Sequence, residues 1–198
     1  MFQCLVRSSS ACSHLEKFTW IYLFFPYLSL PSIAFTSLMV PSCLIFTEDG
    51  LASGALHKTK LFLHWLLLGL AFVIAGAGFF VIYYNKELND KPHFISWHGI
   101  IGLLACICLA IQVSFGIISK YPLYLKRFIG FKLIRATHAI FGVNTLILGM
   151  IAIILGFLSD WYYKNGSKWV MYSAIMLHIL LIYRVAYIVI QKYVRKIY

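Results

Sequence analysis

Four apolar stretches, Leu61–Tyr84, Phe94–Ser119, Leu133–Leu158 and Trp169–Ile190, are separated by short polar segments along the 198-residue chain. Each meets or exceeds the roughly 20 residues that a helix needs to cross a bilayer. The first two contain no Lys, Arg, Asp or Glu. Arg135 near the start of the third and Arg184 near the end of the fourth sit where long basic side chains reach the interface. A fifth apolar segment, residues 18–46, carries Pro26, Pro31 and Pro41, each of which removes a helix hydrogen bond. It is expected to form one kinked span, most regular between about Tyr27 and Phe46. Residues 1–17 read as a short polar tail. The apolar run after them is too long, and wrongly flanked, for a cleavable signal peptide.

Composition agrees with the pattern. The chain is 62% hydrophobic and 12% charged, against about 25% charged in a soluble domain. The fold class expected is therefore all-α, an integral membrane helical bundle of about five spans (18–46, 61–84, 94–119, 133–158, 169–190). Loops of ten to fifteen residues leave no room for a separate soluble domain. Five cysteines show no metal-site spacing, and Cys106 and Cys108 point to different sides of one helix. No disulfide framework is expected.

The net charge of +11 raises the question of nucleic acid. Its distribution answers it. Ten basic residues (Lys58, Lys60, Lys120, Lys126, Arg127, Lys132, Arg135, Lys192, Arg195 and Lys196) share one face if five segments cross in turn. The loops on the other face hold four, Lys86, Lys91, Lys164 and Lys168, offset by Glu87, Asp90 and Asp160. The excess places the first face, with the C-terminus, in the cytosol. Topology explains the charge, and no nucleic-acid partner is expected.

Seven histidines carry the candidate chemistry. His64, His98 and His138 lie three, four and five residues past the starts of their spans, shallow in the membrane. His64 and His138 fall near the cytosolic face on helices separated by one span, which suits antiparallel packing with both side chains aimed into the bundle. Two facing imidazoles at one depth fit a metal or the two axial positions of a haem, whose flat apolar ring suits an interhelical slot. Gly102 and Gly142 follow His98 and His138 at i+4, on the same helix face, where they would let a macrocycle lie against the backbone. Gly69 follows His64 by five. Against this, a single histidine near a helix end is more often interfacial or hydrogen-bonded, and glycine is common in membrane helices for packing alone. His57 and His93 fall in loops and are expected to be solvated, and His14 lies in the tail. His178, in "MYSAIMLHILLIY", reads as a packing or hydrogen-bonding residue.

The segments "AFTSLM" (34–39), "LHW" (63–65), "WHGIIGLL" (97–104), "SKYP" (119–122) and "THAIFG" (137–142) resemble, in order and spacing, the cytochrome b561 family. The likeness is nearest to its short, cytochrome b561 domain-containing type. That resemblance implies six transmembrane helices, the central four holding two b-type haems. It implies electron transfer from cytosolic ascorbate to monodehydroascorbate or ferric iron on the opposite side. It implies that His64 and His138 are axial ligands of the cytosolic-side haem, and that His98 is one ligand of the other. The partner of His98 should fall seven to eight residues before "AFTSLM", in a Trp-His-Pro context. The sequence there is "FFPYLSLPSIAF", with Tyr27 at the ligand position. The chain also lacks room for the family's first helix, so two haems are expected from the family and one is compatible with these residues.

Lys58, Lys60, Lys126, Arg127, Lys132 and Arg135 are candidate ascorbate contacts, by raising the local concentration of the anion. Each also has a topological or lipid-headgroup role to play. An endomembrane, the endoplasmic reticulum or a vesicle, is expected over the plasma membrane, and a homodimer is compatible with the family. Two rival readings stand beside electron transfer: a degenerate, non-enzymatic membrane protein keeping one haem, and a haem-free transporter. The absence of Asp and Glu from the first two strong spans weighs against the transporter.

Overall fold

The computed structural model describes residues 32–48, 50–120 and 130–193. Among the described residues six helices follow one another: α1 (Ser32–Leu44), α2 (His57–Leu88), α3 (Trp97–Lys120), α4 (Phe131–Phe157), the short α5 (Asp160–Asn165) and α6 (Lys168–Tyr193). No strand occurs among the described residues. α2, α3, α4 and α6 are each long and apolar enough to cross a membrane.

The long helices outrun their apolar cores because polar residues at the interface continue the helical hydrogen bonds. α2 has 32 residues, or about 48 Å of rise against a hydrocarbon core of about 30 Å. Its first turn takes in His57, Lys58 and Lys60, which the hydropathy pattern assigns to a loop. Of the fifth segment, only α1 lies within the described residues. It runs through Pro41, and its last turn ends at Leu44 rather than Phe46. The loop before α6 holds a helix that hydropathy does not foresee. Ser159 caps it, its hydroxyl accepting from the backbone N–H of Tyr162 at 3.3 Å.

The core is drawn from five helices. Phe35, Met39 and Val40 of α1 meet Ala71 of α2, Leu109 of α3, Leu146, Met150 and Ile153 of α4, and Val185 of α6. α4 is the most enclosed of the spans and packs chiefly on α3, then on α6. The ring of Phe35 fills the space that a Cβ on Gly149 would need, so α1 lies close against α4. α2 is the most peripheral, with Ala71 as its buried residue and Phe62, Val73 and Phe80 turned outward. In water such a surface would be untenable. In lipid it is the expected outer face, and helix association rests on close packing and interhelical hydrogen bonds.

One such bond ties α6 to α1. Buried His178 donates from Nδ1 to the Ala174 carbonyl at 2.7 Å, while Nε2 accepts from the Thr36 hydroxyl at 3.0 Å. The same hydroxyl lies 3.0 Å from the Ser32 carbonyl. Both ring nitrogens are occupied, in keeping with the hydrogen-bonding role expected for His178. A double-mutant cycle of Thr36→Val and His178→Leu, read by unfolding in detergent, should return a coupling of about 0.6–1.7 kcal/mol. Additive losses would mean that the contact contributes nothing of its own.

Candidate functional site: two histidine layers held by α4

His64 on α2 and His138 on α4 come together, ring centroids 6.2 Å apart and planes at 76°. Each stands seven residues into its helix, so α2 and α4 run in the same direction and not antiparallel as expected, because helices separated by one span return to the same sense. Each ring is held by its Nδ1. The Nδ1–H of His64 donates to the Ser42 carbonyl at 2.9 Å. That carbonyl belongs to the last turn of α1, where helix carbonyls have no intrahelical donor. Nδ1 of His138 lies 3.0 Å from the side-chain amide of Gln112 on α3, and the same amide nitrogen donates to the His138 carbonyl at 2.7 Å. Neither Nε2 has a hydrogen-bond partner among the described residues.

This arrangement fits an axial pair. With metal–nitrogen bonds of about 2.0–2.1 Å, and each ring centre roughly 1.2 Å behind its nitrogen, two imidazoles sharing one metal hold their centroids about 6.4 Å apart. The observed separation is within a few tenths of that. For His64, donation of Nδ1–H to a carbonyl is also the usual way a ligating histidine is oriented.

His98 forms a second layer. Its Nδ1–H donates to the Ala152 carbonyl at 2.8 Å, and the ring lies over Gly156, where a Cβ would stand 3.0 Å from Cε1. The residue is otherwise exposed. His98 begins α3 and meets the far end of α4, so α3 runs antiparallel to α4. His138 and Ala152 are fourteen residues apart on α4, about 21 Å at 1.5 Å per residue. Tyr27, the position expected to face His98, lies outside the described residues. Gly156→Val should twist the His98 ring off its carbonyl anchor; an unchanged His98 ring resonance in that variant would refute the contact.

The glycines divide. A Cβ on Gly69 or Gly102 would meet nothing within 4 Å, which is compatible with space for a flat ligand. Gly142 is different. A Cβ there would lie 2.6 Å from Gln112 Nε2, so this glycine makes room for the glutamine and not for a macrocycle. The i+4 rule counts only the residue's own helix, and here the neighbouring helix sends in a side chain.

Two further expectations change. His57 is the first residue of α2, exposed, with the Phe46 ring 5.8 Å from it. His93 is half-buried, stacked on Tyr83 at 4.3 Å and bonded to Glu87 at 2.9 Å, instead of solvated. Among the basic residues, Lys58 and Arg135 are exposed, and Lys60 donates to the Ser53 carbonyl at 3.0 Å. Lys126 and Arg127 lie outside the described residues, as does the side chain of Lys132. Lys120 stands over the ring of Trp65, 4.5 Å from its centre, beside His64. The sequence alone does not single out Gln112 or Ser42. A buried glutamine in an otherwise apolar span was the one available signal.

The described residues thus form an all-helical membrane bundle with two histidines paired at one level and a third at another. The chain belongs to the cytochrome b561 family: the family profile of eukaryotic cytochrome b561 matches residues 28–164. It is 34% identical over 148 residues to the transmembrane reductase CYB561D2 of Bos taurus, covering 74% of this chain and 66% of that protein. To the Homo sapiens protein of the same name it is 33% identical over 154 residues, 76% and 68% of the two chains. To the probable transmembrane reductase CYB561D1 of Homo sapiens it is 24% identical over 141 residues, 70% and 61%. The match thus spans about two thirds of the length of these relatives. No solved structure matches the chain.

Proposed function

We propose that this protein transfers electrons across a membrane, with b-type haem bound between His64 and His138. The donor is cytosolic ascorbate, and the acceptor on the opposite side is monodehydroascorbate or ferric iron. The 6.2 Å pairing of the two rings, with His64 anchored through Nδ1–H on a carbonyl, carries this reading. Family membership and the reductase names of its relatives support it.

Haem, when bound, supplies a one-electron carrier that polar side chains cannot provide within hydrocarbon. The chain's own part is to hold and orient. Ser42 and Gln112 fix the two rings, and the apolar helices exclude water from around them. The basic residues at the starts of α2 and α4 raise the local concentration of the ascorbate anion. With the charge bias placing that end in the cytosol, the donor meets the His64–His138 layer first. The His98 layer then faces the acceptor.

A one-haem protein is the second reading, favoured by the tyrosine at position 27. Haem per polypeptide on detergent-purified protein, by pyridine haemochrome beside the ascorbate-reduced spectrum, tests both. Two haems per chain support the full relay, and one supports the half-relay. A chain without a Soret band would overturn the haem assignment altogether.

A further inference from the structure

Two buried side-chain polar atoms lack a partner among the described residues: Oγ of Ser119 and Oε1 of Gln112. The second has a chemical meaning. The Gln112 amide nitrogen lies 3.0 Å from Nδ1 of His138 and 2.7 Å from the His138 carbonyl, and it can donate one hydrogen to each. Nδ1 is then an acceptor, and the proton of the neutral ring sits on Nε2. A ring nitrogen that carries a hydrogen has no lone pair for a metal.

His64 and His98 differ in this respect. Their Nδ1 atoms face the backbone carbonyls of Ser42 and Ala152, which can only accept. Both rings therefore keep the lone pair on Nε2. His138 alone of the three faces a group that can either donate or accept. A half-turn of the Gln112 amide would bring the orphaned Oε1 to Nδ1, now as the acceptor of an Nδ1–H. It gives up the bond to the His138 carbonyl and turns an oxygen toward that carbonyl, so the amide must draw back from it and needs something to drive the turn. The missing side chain at Gly142 leaves the space in which the amide lies.

We propose that Gln112 is a two-position positioning residue for His138. Its amide nitrogen faces the ring when no metal is bound, and its amide oxygen receives Nδ1–H when Nε2 ligates iron. The proposal rests on the haem reading above. It adds that loading this site moves one proton across the His138 ring and turns one amide, while His64 needs neither. Once turned, the amide oxygen strengthens the imidazole as a donor to the metal.

The test uses full-length protein with ¹⁵N-labelled histidine, metal-free and then loaded and reduced to the diamagnetic low-spin ferrous form. The expected metal-free spectrum shows His138 with a proton on Nε2 and a bare Nδ1, opposite to His64 and His98. Loading should place the proton on Nδ1. Gln112→Met should abolish the metal-free preference and raise the midpoint potential of one haem. If that variant fails to fold, the wild-type comparison between metal-free and loaded protein decides alone. A metal-free His138 that already carries its proton on Nδ1 would overturn the proposal, even with a normal Soret band. Failure to take up haem at all would overturn the underlying reading as well, and absorbance distinguishes the two failures.

Discussion

Alanine at position 64 or position 138 is expected to abolish the low-spin signature of the haem proposed between them, with occupancy of that site falling well over tenfold. Loss of a group that merely orients a metal ligand costs about 10–100-fold in affinity, and these two residues are the proposed ligands themselves. The geometry leaves no obvious substitute. The neighbouring aromatic ring, that of Phe46 at 5.4 Å from His64, has no donor atom. His178 has both nitrogens committed to Thr36 and Ala174. Optical and electron paramagnetic resonance spectra of the two variants provide the measurement, with thermal unfolding as the control for folding. A low-spin spectrum that survives both substitutions would sink the pairing of these histidines.

Tyr27→His should raise haem content from one to two per chain and establish reduction of an acceptor enclosed in vesicles by ascorbate outside. His98 is already prepared for a partner. Its Nδ1 is fixed on the Ala152 carbonyl, its ring lies over Gly156, and its Nε2 is left to coordinate. What the second layer lacks, on the family pattern, is an imidazole opposite. Tyrosinate does serve as an axial ligand in some haem proteins, so the wild-type stoichiometry must be measured alongside. If the variant stays at one haem, a missing ligand is not what limits the second site. If the wild type already holds two, His98 has its partner without the substitution.

The parts legible in the sequence were those with a local cause. Apolar runs long enough to span lipid located α2, α3, α4 and α6, and the shallow placement of His64 and His138 anticipated one shared level. Helix ends were less legible, because His57–Lys60 and Asn85–Leu88 are polar by composition yet remain helical at the interface. The anchors of the histidines were hidden for two separate reasons. Ser42 acts through a backbone carbonyl, which any residue could supply, so its identity carries no signal. Gln112 acts across a helix pair, and its position looks like a polar blemish on α3 until α4 is laid beside it. Gly142 was misread on the same ground. Its face is contested by another helix, and a single-helix period cannot register that.

α4 meets both histidine layers, through His138 near its start and the Ala152 carbonyl near its end. It therefore acts as a ruler between the two. Fourteen residues make nearly four turns, and each residue added or removed turns one end against the other by about 100°. Side chains along this stretch can vary with little effect on the spacing, whereas its length cannot. An insertion or deletion there would misalign one layer whenever the other was kept, so the spacing of the two layers is set by residue number alone.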